Sequence, residues 1–556
     1  MKKNRSKFIS VFAVFLAVLC VMSFGTIHAD EKKPIPEAEN VKVTQLYNGV
    51  TLTSFDVPQS SSYTLNKFKI VEFNPKQSDL YVDVTNMAEY SNKLRTVMQT
   101  VKDFNSNNGE GKTAIAAVNG DLWMVSYAHA RVEGSGTTYG GFSDAVVTKS
   151  LTVPRGFNMY NGEIITTAHM NQETPFEGAF QSFGFGADNT PYLGQPVVTI
   201  KTINLTKDTS KAVNGINRLP ANNALVMYTD KGVLSNYSLS DAYEVVIDCD
   251  YDYVVKHDAE IKGKVTAICK EGDADPEMKP NRIILTARGS AEKRINDYEI
   301  GDEVQITIKV KDSFGNNEAW QSEVKNAVGG HMVFAQNGKY IDLGSASYYP
   351  STIIAETNSG NVMLIQNDGR QSGYSLGLRH NDCDKFAIEL DLKNAFIVDG
   401  GGSSTMVALA DSGYELVNRP CDKDSNGNYG AVRTVVNSVI LSYGKDRNAP
   451  QDAPADPSAT QAPSSDATQA PSSDATQAPS SDATQTPSSD ATQAPSSDAT
   501  QAPSSDATQA PENNNGKNNN KPGKGWTIAL IVGSVVAFAL AVFLAIRAAN
   551  KKFGKD

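Results

Sequence analysis

The chain has 556 residues and a formal net charge of -11, with charged residues making up 20% of it. That balance, without a basic cluster in the part able to fold, argues against a nucleic-acid partner. Setting aside the apolar and low-complexity ends leaves about 400 residues, too many for one hydrophobic core and enough for two.

In chain order, Lys2, Lys3, Arg5 and Lys7 precede an apolar stretch from Phe8 to about Phe24 and a small residue at Ala29. This is the layout of a secretory signal, residues 1–29, cleaved after Ala29. The length of the apolar stretch keeps an uncleaved anchor as the alternative, and Leu19 before Cys20 argues against a lipoprotein signal. Residues 30–60 carry little pattern and read as a lead-in. Beyond them, short β-rich runs punctuated by Gly, Asn and Asp predict strands at Phe68–Phe73, Leu80–Val84, Ala114–Val118, Val197–Ile203, Leu225–Tyr228, Glu244–Ile247, Lys264–Ile268, Arg282–Leu285, Glu303–Val310, Gly360–Ile365 and Ser438–Tyr443. Helices are expected only at Ser91–Asn105 and Asn381–Leu392. The expectation is an α+β protein with mixed and antiparallel sheets and few helices. Its main unit, 61–189 and 316–445, is interrupted by an inserted β-rich domain at 190–315, in which Asn217-Arg218 reads as a surface-loop pair, with reach into the active cleft as the alternative.

The most informative stretch is Asn394–Val407, NAFIVDGGGSSTMV. Ala395–Val398 reads as a buried strand that delivers Asp399 to its end. Gly400, Gly401 and Gly402 then allow positive φ and leave no Cβ in a ligand's way, while Ser403, Ser404 and Thr405 add hydroxyl groups. Successive amides in such a turn can form an anion-binding concavity; a plain glycine-rich hairpin is the alternative. A nucleotide phosphate loop is excluded by the missing Lys before Ser/Thr.

Past the folded region, from Ala459, the unit ATQAPSSD repeats six times with one change at Thr486. Lacking aromatics and large aliphatics, it cannot offset its chain entropy by burial, so residues 446–525 are expected to form a disordered stalk. Trp526–Ile546 is an apolar run long enough to cross a bilayer, and Arg547, Lys551, Lys552 and Lys555 in the tail 547–556 suit a cytoplasmic anchor. A buried core helix is the alternative for that run. The expected location is a cell membrane, single-pass, with the folded region outside, on a Gram-positive-type surface.

The segment Asp399–Thr405 after an apolar strand resembles the signature of the phosphodiester glycosidase family. Four further segments resemble family elements in the same order: Ala117–Trp123 (AVNGDLW), Asn326–Gly338 (NAVGGHMVFAQNG), Asn367–Gly377 (NDGRQSGYSLG), and Asn418–Pro420 with Arg433–Leu441. Two positions depart from the pattern. Asp121 stands for the second Gly of the early element, and Ser351 follows Pro350 where the family has Arg. The resemblance implies hydrolysis of glycosyl-1-phosphodiesters on surface polymers or extracellular glycoconjugates. The competing class is a catalytically silent glycan- or wall-binding module that assists polysaccharide assembly, a reading the Ser351 departure favours.

Cleaving such a substrate expels a phosphate monoester, already a good leaving group, so a carboxylate at the anomeric centre matters more than a strong acid. Asp399 is the first choice for it and Asp121 the second. Arg370 and Arg433 are expected on the phosphate, because a guanidinium presents paired donors. Gln371, Asn119 and Asn437 are expected to bind sugar hydroxyls or orient carboxylates, and His331 to donate to the phosphate or act as acid, with His129 and His380 near other motifs. No cofactor is expected. Asp422, Asp424 and Asn426 match the opening of a calcium loop, but Arg433 stands where a bidentate Glu belongs, so a plain polar loop is favoured. The cysteines after the signal allow Cys249 with Cys269 and Cys383 with Cys421, or buried free thiols.

Overall fold

The computed structural model describes residues 33–85, 94–109, 111–123, 130–131, 138–139, 154–168, 180–218, 222–232, 241–274 and 276–448, all within the unit Met1–Ala459; the unit Thr460–Asp556 lies outside them. The expected signal, stalk and Trp526–Ile546 span, and His129, therefore lie outside the described residues. Among the described residues no helix is long and apolar enough to cross a membrane.

The α+β expectation is corrected: the described residues are mostly strand, in sheets whose pairings are almost all antiparallel. Two α-helices are present among them, Val97–Asn107 and Cys383–Glu389, each shorter than expected. Thr96 caps the first through a capping box with Gln99, which fixes its start. The second ends as Asp391 turns left-handed at φ 55° and Leu392 enters a strand.

Two sheets face each other around the main core. One has eight strands in the order Glu39–Tyr47, Val50–Val57, Asn66–Phe73, Val362–Asn367, Ser351–Thr357, Leu392–Ile397, Met332–Gln336, Lys339–Tyr340. The other orders Gly413–Leu416, Met406–Ala410, Thr113–Asn119, Ser438–Tyr443, Leu80–Val84. Leu52, Val71, Ile354 and Phe396 from the first pack against Ile115, Val118, Met406 and Leu441 from the second. Each sheet carries one short helix on its outer face. Phe386 packs with Phe68, Ile353 and Ile397 on one side, and Val101 and Phe104 pack with Ala117 and Ile440 on the other. The supposed lead-in is thus corrected as well, since it supplies two strands. They are joined at Asn48-Gly49 with Tyr47 opposite Val50, a two-residue Asn-Gly hairpin.

Strands between residues 196 and 312 form a second eight-stranded sheet: Thr209–Val213, Pro196–Asn204, Glu303–Asp312, Glu260–Cys269, Ala242–Cys249, Arg282–Arg288, Leu225–Thr229, Gly215–Ile216. Its apolar face, with Ile247, Val265, Leu285 and Ile306, closes over Phe157, Met159, Ile164 and Trp320. A five-stranded sheet, Pro191–Gly194, Gln181–Gly186, Val324–Gly330, Asn158–Tyr160, Glu163–Thr166, spans both cores: Phe183, Phe185 and Val328 enter the main one, and Met159, Ile164 and Ala327 the other.

Candidate active site

Leu392–Ile397 is an inner strand with both faces buried: Phe396 and Val398 point into the two-sheet core, Ala395 and Ile397 toward the helix. Asp399 is the first residue past that apolar run. Its amide donates to the Gly120 carbonyl at 2.9 Å, and the Asn119 side-chain amide donates to the Asp399 carbonyl at 2.9 Å. The ends of the two facing sheets are therefore tied together at the carboxylate. The glycine turn folds back on itself. Gly400 N–H donates to Asp399 Oδ1 at 2.8 Å, Gly401 N–H to the Pro350 carbonyl at 2.9 Å, and the Ser403 and Ser404 amides to Gly400 and Gly401 at 3.2 and 3.3 Å. These four amides are taken up by the turn itself and by Pro350, so they do not open onto an anion-binding concavity. Gly401 is left-handed at φ 64°, and a Cβ on Gly402 would stand 2.2 Å from Arg433 Nη2.

The two carboxylates are held differently. Asp399 is partly exposed, and it accepts from the Ser403 hydroxyl, the Gly400 amide and the Trp123 indole; burial among these groups raises its pKa. Asp121 is only 1% exposed. Its Oδ2 accepts from Gly156 N–H at 2.8 Å and Asn158 Nδ2 at 2.9 Å, while Oδ1 is buried without a hydrogen-bond partner. Burial pushes the Asp121 carboxyl up to about 7, and the negative charge of Asp399 adds to the rise. The backbone closes tightly here: a Cβ on Gly329 would lie 2.5 Å from Asp121 Oδ2 and 2.5 Å from Gly156 Cα.

Cations stand around the turn. The exposed Arg370, itself left-handed at φ 57°, lies over the Tyr349 ring with 5.2 Å to its centroid, against Gly401, and bonds the Cys421 thiol. Arg433 is committed to Asp422 through Nε and Nη2 at 2.8 and 2.9 Å, so the expected phosphate ligand is instead one half of an ion pair whose charge reaches Asp399. His331 donates its amide to the Ile397 carbonyl at 3.1 Å. Burial pushes its imidazole down to about 4, helped by His380 and Arg155, so at neutral pH it is uncharged and a poor general acid.

The residues expected to bind sugar hydroxyls or orient carboxylates are internal struts. Asn119, fully buried, also accepts from Thr352 Oγ1 at 2.6 Å and from Thr405 N–H at 3.1 Å. Asn437 accepts from Asp121 N–H at 2.8 Å and donates to Asn158 Oδ1 at 2.8 Å, orienting the buried carboxylate from two sides. Gln371 donates to the Arg419 carbonyl at 2.8 Å, inside a network in which buried Asp368 accepts from the Arg419 amide and the Asn418 side chain. Ser404 and Thr405 are fully buried below the turn.

The proposed disulfides are corrected too, Cys249, Cys269, Cys383 and Cys421 all being thiols outside any disulfide. Cys249 pairs with Gly263 while Cys269 pairs with Glu244, placing the two thiols roughly 17 Å apart along the hairpin, far beyond disulfide reach. Cys383 is buried and donates to the Arg379 carbonyl, while Cys421 bonds Arg370. In the candidate calcium loop, Asp422 serves Arg433, and Asp424 caps the amides of Asn426 and Asn428 at 2.9 and 2.8 Å, with Asn426 offering its backbone to that cap. Among the described residues no group of three or more His, Cys, Asp or Glu forms a metal site. Asn217 and Arg218 are buried at 0% and 3% exposure, not a surface pair.

Sequence reasoning missed Trp123, Asn158, Arg155 and Tyr349. Trp123 lies within a quoted segment, so its indole was open to assignment. Pro154-Arg155-Gly156 carries a glycine that lets the backbone reach Asp121. Nothing in the sequence ties Arg155 to His331 or Tyr349 to Arg370; only the fold does.

Residues 256–442 match the family model described as phosphodiester glycosidase. The match contains every resembling segment except Ala117–Trp123. No curated protein matches the chain. Among solved structures, a hypothetical protein from Synechocystis superposes with a TM-score of 0.51 at 16% identity, over 73% of this chain; this chain spans 64% of that protein's length. A protein from Burkholderia pseudomallei described as exported superposes with a TM-score of 0.48 at 16% identity, over 68% of this chain and 74% of that one. The zebrafish N-acetylglucosamine-1-phosphodiester alpha-N-acetylglucosaminidase catalytic domain, auto-inhibited by its pro-peptide, gives 0.32 at 11% identity, over 74% and 84%. The Synechocystis structure establishes a shared fold.

Proposed function

We propose that the chain hydrolyses glycosyl phosphodiesters, releasing a free sugar and a phosphate monoester, with Asp399 as the carboxylate at the anomeric centre. The observation that carries this reading is the unequal pair of carboxylates at the meeting point of the two sheets. Asp399 is partly exposed and steadied by three donors, while Asp121 behind it is sealed from solvent, with its carboxyl pushed up to about 7. Two carboxyls that raise each other's pKa hold about one negative charge between them, which faces the oxocarbenium-like transition state without a second beside it. Asp399 then acts as base or nucleophile, and the phosphate leaves as an anion without needing a strong acid. Arg370, stacked on Tyr349 at the edge of the turn, is placed to meet the phosphate, and Arg155 adds positive charge on the His331 side. The family match over residues 256–442 supports the same reaction class.

The setting completes the proposal: the substrates are sugar-1-phosphodiesters outside the cytoplasm, consistent with the signal-like N-terminus and the Pro/Ser/Thr-rich repeat. The second reading, a glycan-binding module, rests on Ser351, which is 2% exposed and offers no cation beneath Gly400. Purified full-length protein incubated with a panel of glycosyl phosphodiesters separates the two. The hydrolase releases equimolar sugar and phosphate monoester from at least one member. Saturable binding with no release from any member assigns the binding module instead.

A further inference from the structure

The buried pair Asn217-Arg218 has no role in the chemistry above, yet it occupies the seam between the 196–312 sheet and the segment that carries Asp121's donors. Asn217 is left-handed at φ 50°; its side-chain amide donates to the Ile165 carbonyl at 2.7 Å and to Thr229 Oγ1 at 2.9 Å. Arg218 Nη1 donates to the Thr167 carbonyl at 3.1 Å and also to the Ala168 carbonyl. The backbones are stitched as well. Ile216 N–H donates to Thr167 Oγ1 at 3.1 Å, and Thr167 N–H to the Ile216 carbonyl at 3.4 Å. Little slack exists at this seam, because a Cβ on Gly215 would lie 2.4 Å from Arg218 Cδ.

Segment 165–168 leads straight to the site. Thr166 Oγ1 donates to the Gly156 carbonyl at 3.0 Å and accepts from Asn158 Nδ2 at 3.2 Å. Gly156 and Asn158 are the two groups that hydrogen-bond Asp121 Oδ2. A buried guanidinium loses its hydration, which is tolerable only when acceptors are fixed around it, so Arg218 holds the 167–168 carbonyls in one place. We propose that Asn217 and Arg218 are positioning residues through which the 196–312 sheet sets the ionisation of Asp121, with Thr166 and Asn158 as the intermediate links. The seam thereby makes the reactivity of the carboxylate pair depend on the docking of a separate sheet. For catalysis this inference rests on the proposed hydrolase reading; for the ionisation of Asp121 it does not.

The groups facing Asp121 are Asp399 from the glycine turn, as the charged neighbour, the neutral donors Gly156 and Asn158, and the nearby Leu122 backbone. Loosening the seam weakens the Asn158 and Gly156 bonds, which favour the carboxylate, so the titration midpoint of Asp121 moves up. The test is carboxyl carbon NMR of Asp121 against pH in the full chain, assigned with Asp121→Asn. Arg218→Met is expected to raise the midpoint by about half a pH unit or more. Arg218→Lys, which keeps a charged donor without the fork, folds more readily and is expected to raise it by less. Thermal stability falls for both variants under any structural role, so that fall decides nothing. An unchanged midpoint in whichever of the two variants folds overturns the proposal. The titration needs no substrate, so an inactive protein removes the hydrolase reading without touching this result.

Discussion

In the 196–312 sheet, Val304, Ile306, Ile308 and Val310 turn inward along one strand while Glu303, Lys309 and Lys311 turn to solvent. Where Thr113–Asn119 meets the end of Leu392–Ile397 the rule is reversed: the side chains sealed from water are Asn119, Asp121, Ser403, Ser404, Thr405 and Asn437. The sheet is held by apolar burial, which tolerates approximate shapes, whereas the junction is held by hydrogen bonds that must each find a partner. Away from the Asn217-Arg218 seam, stability and chemistry should accordingly separate between the two regions.

The largest stability effect is expected in the sheet. Ile306→Ala should cost about 2–5 kcal/mol in a denaturant titration, yet leave kcat per folded molecule within about twofold, given a threshold of roughly 0.4 kcal/mol on the barrier. A proportionate loss of kcat would join the two regions more tightly than described. Asn119→Ala removes the links to Asp399, Thr352 and Thr405 at once. It should cost about 3 kcal/mol and, unlike the sheet variant, abolish turnover in the molecules that remain folded. Gly329→Ala forces a methyl against Asp121 and Gly156; overpacking of this kind costs about 1–3 kcal/mol. Turnover should suffer more than stability, as measured by melting and steady-state rates side by side.

Smaller still is a pH effect of known sign. Asp121 has a folded pKa of about 7, above its unfolded value, so its protonated form stabilises the fold at low pH and that contribution is lost as pH rises from about 4 to 7. His331 has a folded pKa of about 4, below its unfolded value, so its contribution is present above about 6.5 and is lost as pH falls toward 4. The two oppose each other across pH 4–6.5. Relative to wild type, Asp121→Asn should therefore turn the slope of stability against pH upward over that window, and His331→Gln should turn it downward; parallel curves for both variants would contradict the assignment. At the lower end, Lys262→Thr on the exposed face should stay within about 0.5 kcal/mol of wild type, with unchanged kcat.

This difference in rules is also why the two regions were unequally legible. β-rich runs bounded by Gly, Asn and Asp located Leu80–Val84 and Ser438–Tyr443 to the residue and each long strand of the 196–312 sheet within a few residues. The Asn48-Gly49 hairpin was equally readable and was passed over, as were the two strands it joins. At the junction, by contrast, a polar residue reads the same whether it faces a ligand or bonds a neighbour. Asn119, Gln371 and Asn437 were expected to bind sugar hydroxyls or orient carboxylates; Asn437 orients Asp121 through its amide and Asn158, while Asn119 and Gln371 bond backbone carbonyls. Arg433 became a partner of Asp422, from eleven residues earlier in the chain. Trp123 and Arg155 became site residues because the fold carries them beside Asp399 and His331, which no local pattern encodes.

The measurement that bears most directly on the central claim is the steady-state rate of Asp399→Asn on whichever glycosyl phosphodiester the wild type cleaves, with equilibrium binding and melting measured on the same preparation. The substitution keeps size and hydrogen bonding and removes the charge opposite the anomeric centre, so kcat should fall at least about a hundredfold while binding stays near wild type. A folded Asp399→Asn protein that turns over at close to the wild-type rate would contradict the account and leave Asp399 as a cap for its own glycine turn.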